Sequence, residues 1–227
     1  VRMEFVISQE IGIHPMALIA LSDSKQESHQ DFHSRIHLSH DKRRMLAGGL
    51  TVCEAAFIRE TTSSHECPAA WFIDILAQNL GTIAAAFYPE PVIIRFSDFK
   101  TNEYEKLIGA TPFEKREENP LLGFRGAARY VDPRYRDAFC LEIEAIKYLR
   151  SKLGLTNVEV LVPFVRSPSE GRRVIDILRE NGALEDGLKV NLMLELPINA
   201  LLLDQYLRHF DGVSIGTNDL AMLVSGV

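Results

Sequence analysis

Cysteine is scarce in this chain of 227 residues, with only Cys53, Cys67 and Cys140 present. An odd number without a CxxC pair excludes a disulfide framework and fits a reducing compartment, the cytoplasm. Excess positive charge is also missing. The net charge of −6 argues against a broad nucleic-acid or anionic-membrane surface, although it leaves room for a local basic pocket. No apolar run approaches the ~20 residues of a bilayer crossing, so no membrane segment is expected. Arg2 and Glu4 interrupt the opening stretch, which therefore does not read as a signal peptide. The chain opens on Val1 rather than Met, and Val1–Phe5 reads as the middle of a strand, so a longer polypeptide is expected around it. Nucleotide loops are absent too: neither GxGxxG nor GxxxxGK[ST] follows a strand-like run, which removes support for a nucleotide-type doubly wound sheet.

What is present is an alternation of short β-branched runs with amphipathic stretches. Strands are expected over Val92–Phe96, Val158–Val162, Val190–Leu194 and Gly212–Ile215. Helices are expected over Ala69–Phe87, Arg136–Lys152, Ser167 to about Gly182, and Asn199–His209. Strands separated by helices imply parallel βαβ units. Arg95, Glu195, Asn218 and Asp219 fall at or just past strand C-termini, where parallel barrels assemble their active sites. The expected fold is therefore an α/β barrel of the TIM type, one domain over residues 1–227. Five or six strand signals are visible, fewer than a (β/α)8 barrel requires. Residues 22–68 are polar and irregular, and read as a helical or loop insertion.

Single residues are ambiguous. Arg125 lies between Gly123 and Gly126, so the backbone could approach an anion while the guanidinium grips it; pairing with Glu117 or Glu118 is the plain alternative. Glu195 ends an apolar strand, where a carboxylate needs a metal, an arginine or several donors. Gly216-Thr217-Asn218-Asp219 forms a turn opening a helix, suited to an anion or, through Asp219, a metal, and equally to simple capping. Arg2 and Arg95 sit inside apolar runs and each calls for an anionic partner. His29, His33, His37 and His40 share a helical face and could bind zinc, but a solvated polar helix explains them as well. His65-Glu66-Cys67 is too short a cluster to carry a site, and Cys140, beside Phe139 on an inner helix face, reads as an inert core thiol.

Taken in order, four segments resemble the phosphoenolpyruvate synthase family of PEP-utilising enzymes: IIRFSDFKTNEY ending at Tyr104, EENPLLGFRGAARY ending at Tyr130, GLTNVEVLVPFVR ending at Arg166, and FDGVSIGTNDL ending at Leu220. The SDFKTNEY run sets synthases apart from pyruvate phosphate dikinase and from enzyme I of the sugar phosphotransferase system. The resemblance covers residues 1–20 and 69–220. It implies the pyruvate/PEP-binding barrel of an enzyme that converts ATP, pyruvate and water to AMP, PEP and phosphate. Its phosphoryl donor would be a phosphohistidine on a separate swivelling domain. Carried over by position, Glu195 and Asp219 would hold Mg²⁺. Arg2, Arg95 and Arg125 would form the phosphate and carboxylate clamp, with Gly216, Thr217 and Asn218 beside the substrate.

Departures temper this. Ala221-Met222 and Leu194-Glu195-Leu196-Pro197-Ile198 replace family-typical residues. The family's later Asp-Arg-Asp-Ser-Gly segment and proton-donating Cys lie past Val227, so this chain alone is expected not to turn over. Cys140 lies on the wrong element to substitute for that acid. Alternatives are a non-catalytic pyruvate/PEP-binding or regulatory module, or a Mg²⁺-dependent barrel of the aldolase or citrate-lyase type. A barrel incomplete at both ends exposes sheet edges, so homo-oligomerisation is expected.

Overall fold

The computed structural model describes residues 1–22 and 39–226. At its centre is a parallel sheet of β1 (Val92–Arg95), β2 (Val158–Val162), β3 (Val190–Leu194) and β4 (Gly212–Ile215), ordered β1-β2-β3-β4. Each strand pairs with its successor and the order never reverses, which is the winding of a barrel rather than of a doubly wound sheet. The described residues form an open parallel sheet. The register pairs Arg95 with Leu161 and Leu194 with Ile215, so the residues following the strands emerge at one end of the sheet.

The strand boundaries follow the β-branched runs, because Val158, Val160, Val190 and Leu192 are all buried in the continuous apolar pattern that a doubly covered parallel strand needs. The expected Arg136–Lys152 helix is realised over Arg136–Ser151, with Phe139, Ile143, Ile146 and Leu149 all inside. It packs along Pro68–Phe87. Gly81 lets the two approach, since a Cβ there would meet Leu149 Cδ2 at 3.1 Å. The helix after β2 runs over Pro168–Glu180, with Ser167 Oγ accepting from Glu170 N–H and Pro168 pre-set for the first turn.

Three expectations need correction. Val1–Phe5 is not one strand. Val1 and Arg2 lie against β1, where Arg95 N–H donates to Val1 carbonyl at 2.8 Å, and Met3–Val6 then turns helical, running into a wider turn over Ile7–Ile11. The cause is the spacing of Met3, Ile7 and Ile11, all buried, four apart on one helical face. The Asn199–His209 helix is instead two short ones, Pro197–Leu201 and Leu203–Tyr206, because Leu202 leaves helical geometry at φ −114°, ψ 27°. Finally, no apolar run of bilayer length is expected, yet the helix expected over Ala69–Phe87 runs over Pro68–Phe87 and is, by length and composition alone, long and apolar enough to cross a bilayer. One face of it, including Phe72, Leu76 and Leu80, is buried in the protein core.

Of the 22–68 stretch, His40–Ala47 and Val52–Thr61 are helical. Thr51 and Glu54 form a reciprocal capping box on the second. His29, His33 and His37 lie outside the described residues. His65 Nε2 is 3.0 Å from Asp74 Oδ2 and its Nδ1 is 2.9 Å from Ser64 Oγ, an arrangement confined to the start of the Pro68–Phe87 helix. Cys140 is buried, and burial pushes its thiol up to about 12, in line with an inert core role.

Candidate functional site

The C-terminal strand ends open into a cleft of about 690 Å³. Arg2, Arg95, Arg125, Glu195, Gly216, Thr217, Asn218 and Asp219 all line it, so the structure gathers every residue singled out in the sequence as a site candidate on the barrel. It also adds three acids that the sequence reading passed over, Glu4, Asp98 and Glu103.

Three of the acids form the floor. Asp98, Glu195 and Asp219 each present a carboxylate oxygen within 4.8 Å of the others. Glu195 is fully buried at the end of β3. Its Oε1 accepts from Phe164 N–H at 2.6 Å, whereas Oε2 has no partner. It forms no ion pair with an arginine among the described residues. Burial, then the charges of Asp98 and Asp219, push its carboxyl up to about 7, against the pull of the Phe164 N–H. An orphaned buried oxygen among three convergent carboxylates is a donor set for a hard divalent cation, so the residues fit a metal.

The backbone around Glu195 is shaped for this. Phe164 adopts φ 52°, an uncommon conformation for a residue with a side chain, and so turns its N–H toward Glu195. Gly126 packs beneath it at φ 56°, where a Cβ would meet both Phe164 Cβ and Pro163 carbonyl at 2.6 Å. At Gly216 a Cβ would strike Glu195 Cβ at 2.7 Å and Oε2 at 2.9 Å, so only glycine leaves room for that carboxylate. The helix Thr217–Ser225 has Gly216 at its N-cap and no side-chain capping bond; neither Asn218 nor Asp219 serves as a cap.

Arginines line the walls. Arg125 does not pair with Glu117 or Glu118. Its Nε and Nη2 donate to Asp98 Oδ1 and Oδ2 at 3.0 and 2.6 Å, and its guanidinium lies 4.1 Å from the Phe164 ring centre. Burial alone would lower its pKa, but the Asp98 hydrogen bonds and charge raise it. Arg95 bonds Glu4 and approaches Asp98 Oδ2 at 3.7 Å. Arg2 is exposed and, among the described residues, has no carboxylate partner. Arg166 braces the Arg125 loop, donating to the Arg125 carbonyl at 3.1 Å and the Gly123 carbonyl at 2.5 Å.

Behind the site, Glu142 is fully buried and holds Ser97, which lies between Arg95 and Asp98 in the loop after β1. Ser97 N–H donates to Glu142 Oε2 at 3.0 Å and Ser97 Oγ donates to Oε1, while Tyr130 OH donates to the Ser97 carbonyl at 2.6 Å. Burial raises the Glu142 carboxyl from 4.5 to about 7, against the Ser97 donors. The folded protein thus retains a proton that the unfolded chain releases, so stability should fall as pH rises through this window. Glu142→Gln should make that decline shallower, measured as urea unfolding free energy at about pH 5 and about pH 8.

The comparisons with known proteins agree with this architecture. The family described as "PEP-utilising enzyme, PEP-binding domain" matches residues 37–227. A phosphoenolpyruvate synthase of Escherichia coli is 41% identical over 228 residues, covering 100% of this chain and 26% of that protein. A phosphoenolpyruvate synthase of Deinococcus radiodurans is 45% identical over 224 residues, covering 98% and 25%. A probable phosphoenolpyruvate synthase of Staphylothermus marinus is 49% identical over 157 residues, covering 68% and 19%. This chain therefore spans about a quarter of the length of the first two relatives. With a barrel-type strand order, an acid-floored cleft and a family match over most of its length, the chain belongs to the PEP-utilising enzymes, as their PEP-binding domain.

Proposed function

We propose that this domain binds pyruvate and PEP together with a divalent cation, Mg²⁺, and serves the pyruvate half of PEP synthesis in a larger polypeptide. The carrying observation is the partnerless Glu195 Oε2 within the Asp98–Glu195–Asp219 cluster, beside Arg125. Asp98, Glu195 and Asp219 would hold the cation, which would supply polarisation of a keto acid and neutralise its charge. The protein's own residues do the rest. The planar forks of Arg95 and Arg125 suit carboxylate and phosphoryl oxygens, and Arg2 adds an uncommitted positive charge at the rim. The Phe164 ring holds the Arg125 guanidinium in place. Gly216 admits the ligand close to the floor, and Thr217 and Asn218 offer polar contacts at its edge.

In the full reaction, the methyl group of pyruvate would give its proton to a general base. The enolate oxygen would attack the phosphorus of a phosphohistidine carried elsewhere in the polypeptide, forming the O–P bond as the P–N bond breaks and the histidine leaves. The arginines then meet the charge that moves with the phosphoryl group. ATP would be used outside this domain. An aldolase-type reading has less support, because the match over residues 37–227 is to PEP-utilising enzymes.

Calorimetry with oxalate, a mimic of the enolate, tests the reading. Heat of binding is expected with Mg²⁺ present, and the affinity should drop at least about tenfold on Arg125→Ala. Absence of oxalate binding with and without Mg²⁺ would sink the proposal.

A further inference from the structure

The Arg125 guanidinium is already engaged. Nε and Nη2 span both oxygens of Asp98, Nη2 lies 3.4 Å from Asp219 Oδ2, and Nη1 donates to the Leu121 carbonyl at 3.3 Å. A bidentate carboxylate partner uses the same donor geometry with which arginine grips a ligand carboxylate or phosphate. Asp98 therefore occupies the donors an incoming anion needs. Asp98 and Asp219 also belong to the acidic cluster, whose third member, Glu195, is fully buried with a partnerless oxygen.

We propose that Asp98 is an exchangeable partner: it holds Arg125 while the acidic cluster is free of a cation, and passes to the cation when one binds, releasing Arg125 to the anionic ligand. This rests on the cation- and anion-binding reading above. The argument is electrostatic. A dication drawn to an Asp98 oxygen stands close to the guanidinium, and two positive centres then compete for one carboxylate. The doubly charged ion, shared with Glu195 and Asp219, wins that competition. Arg125 keeps its contact with Phe164 at 4.1 Å, but its two donors turn from Asp98 to the cleft. Cation and anion therefore bind with positive coupling, and linkage makes the coupling reciprocal. The consequence for specificity is that simple anions are kept out until the cation has arrived.

The test separates an exchange partner from a structural one. In excess chelator, Asp98→Asn should bind inorganic phosphate at least about fivefold more tightly than the wild type. The same variant should bind Mn²⁺ alone roughly tenfold or more weakly. A purely structural aspartate would lose both affinities on substitution. Equal, weaker or undetectable phosphate binding by the variant overturns the exchange.

Should wild-type protein bind no Mn²⁺, the functional reading fails first. If Mn²⁺ binds but phosphate does not tighten in the variant, only the exchange fails. A second readout uses unaltered protein, in case the variant does not fold. The Arg125 Nε–H resonance, assigned by its loss in Arg125→Lys, should exchange with solvent faster once Mg²⁺ is added. An unchanged exchange rate equally overturns the proposal.

Discussion

Glu195→Gln is expected to weaken divalent-cation binding by roughly a hundredfold or more, while making the cation-free protein more stable. The two effects share one cause. Glu195 is a fully buried carboxylate whose Oε2 has no partner and which faces two further acids, so its charge is costly until a cation arrives. A glutamine keeps an oxygen for the Phe164 N–H and turns its NH₂ toward the acids.

The sign with pH follows from the shift. The Glu195 carboxyl sits at about 7 in the fold against an ordinary value of 4.5, so folding takes up a proton in that interval. Its contribution to stability is greatest below the unfolded value and is lost as pH rises through the folded one. At neutral pH the glutamine variant should gain on the order of 2–3 kcal/mol without cation. Thermal unfolding in chelator and Mn²⁺ titration measure the two effects. A variant that is less stable in chelator at neutral pH, or that binds Mn²⁺ like the wild type, contradicts this account.

Gly126→Ala should be the most damaging small substitution in the domain. Gly126 adopts φ 56° and ψ −137°, a region open to glycine and costly for residues with a Cβ. The new methyl would also meet Phe164 Cβ and the Pro163 carbonyl at 2.6 Å. Neither neighbour can yield cheaply, because one is main chain and the other belongs to a residue already held at φ 52°. Conformational strain and overlap together place the loss at about 3 kcal/mol or more. Because Phe164 supplies both the N–H for Glu195 and the ring beneath Arg125, the cation site and the anion wall should be disturbed together. Urea denaturation and Mn²⁺ titration of the variant test this. Wild-type stability would show that the loop can relax without strain.

Much of this site was legible in the residues. Glu195 and Asp219 stand out because a carboxylate ending an apolar run, or following a glycine turn, calls for a partner. Arg125 stands out because glycines bracket it. Asp98 was harder: it lies three residues beyond Arg95, and the arginine within the strand draws the notice that the acid also merits. Glu4 was hidden by the reading of Val1–Phe5 as a strand, where its turn toward Arg95 is not visible. Phe164 acts through a main-chain N–H at positive φ, and no side-chain pattern reports that. The strands and long helices were legible because burial dictates their periodicity. The break at Leu202 was not, since leucine favours helix and nothing in the local pattern marks its departure from helical geometry.

The cleft takes its groups from segments far apart along the chain: Arg2, the loop after β1, the loop at Arg125, the end of β3 and the start of the helix at Thr217. No single βαβ unit contains enough of them to recognise anything. Binding therefore emerges only when all four strands stand in register, and a cation titration doubles as an assay of whole-sheet integrity. A destabilised variant that still binds has kept its global order, whereas one that loses binding without a change in the cleft has lost its alignment.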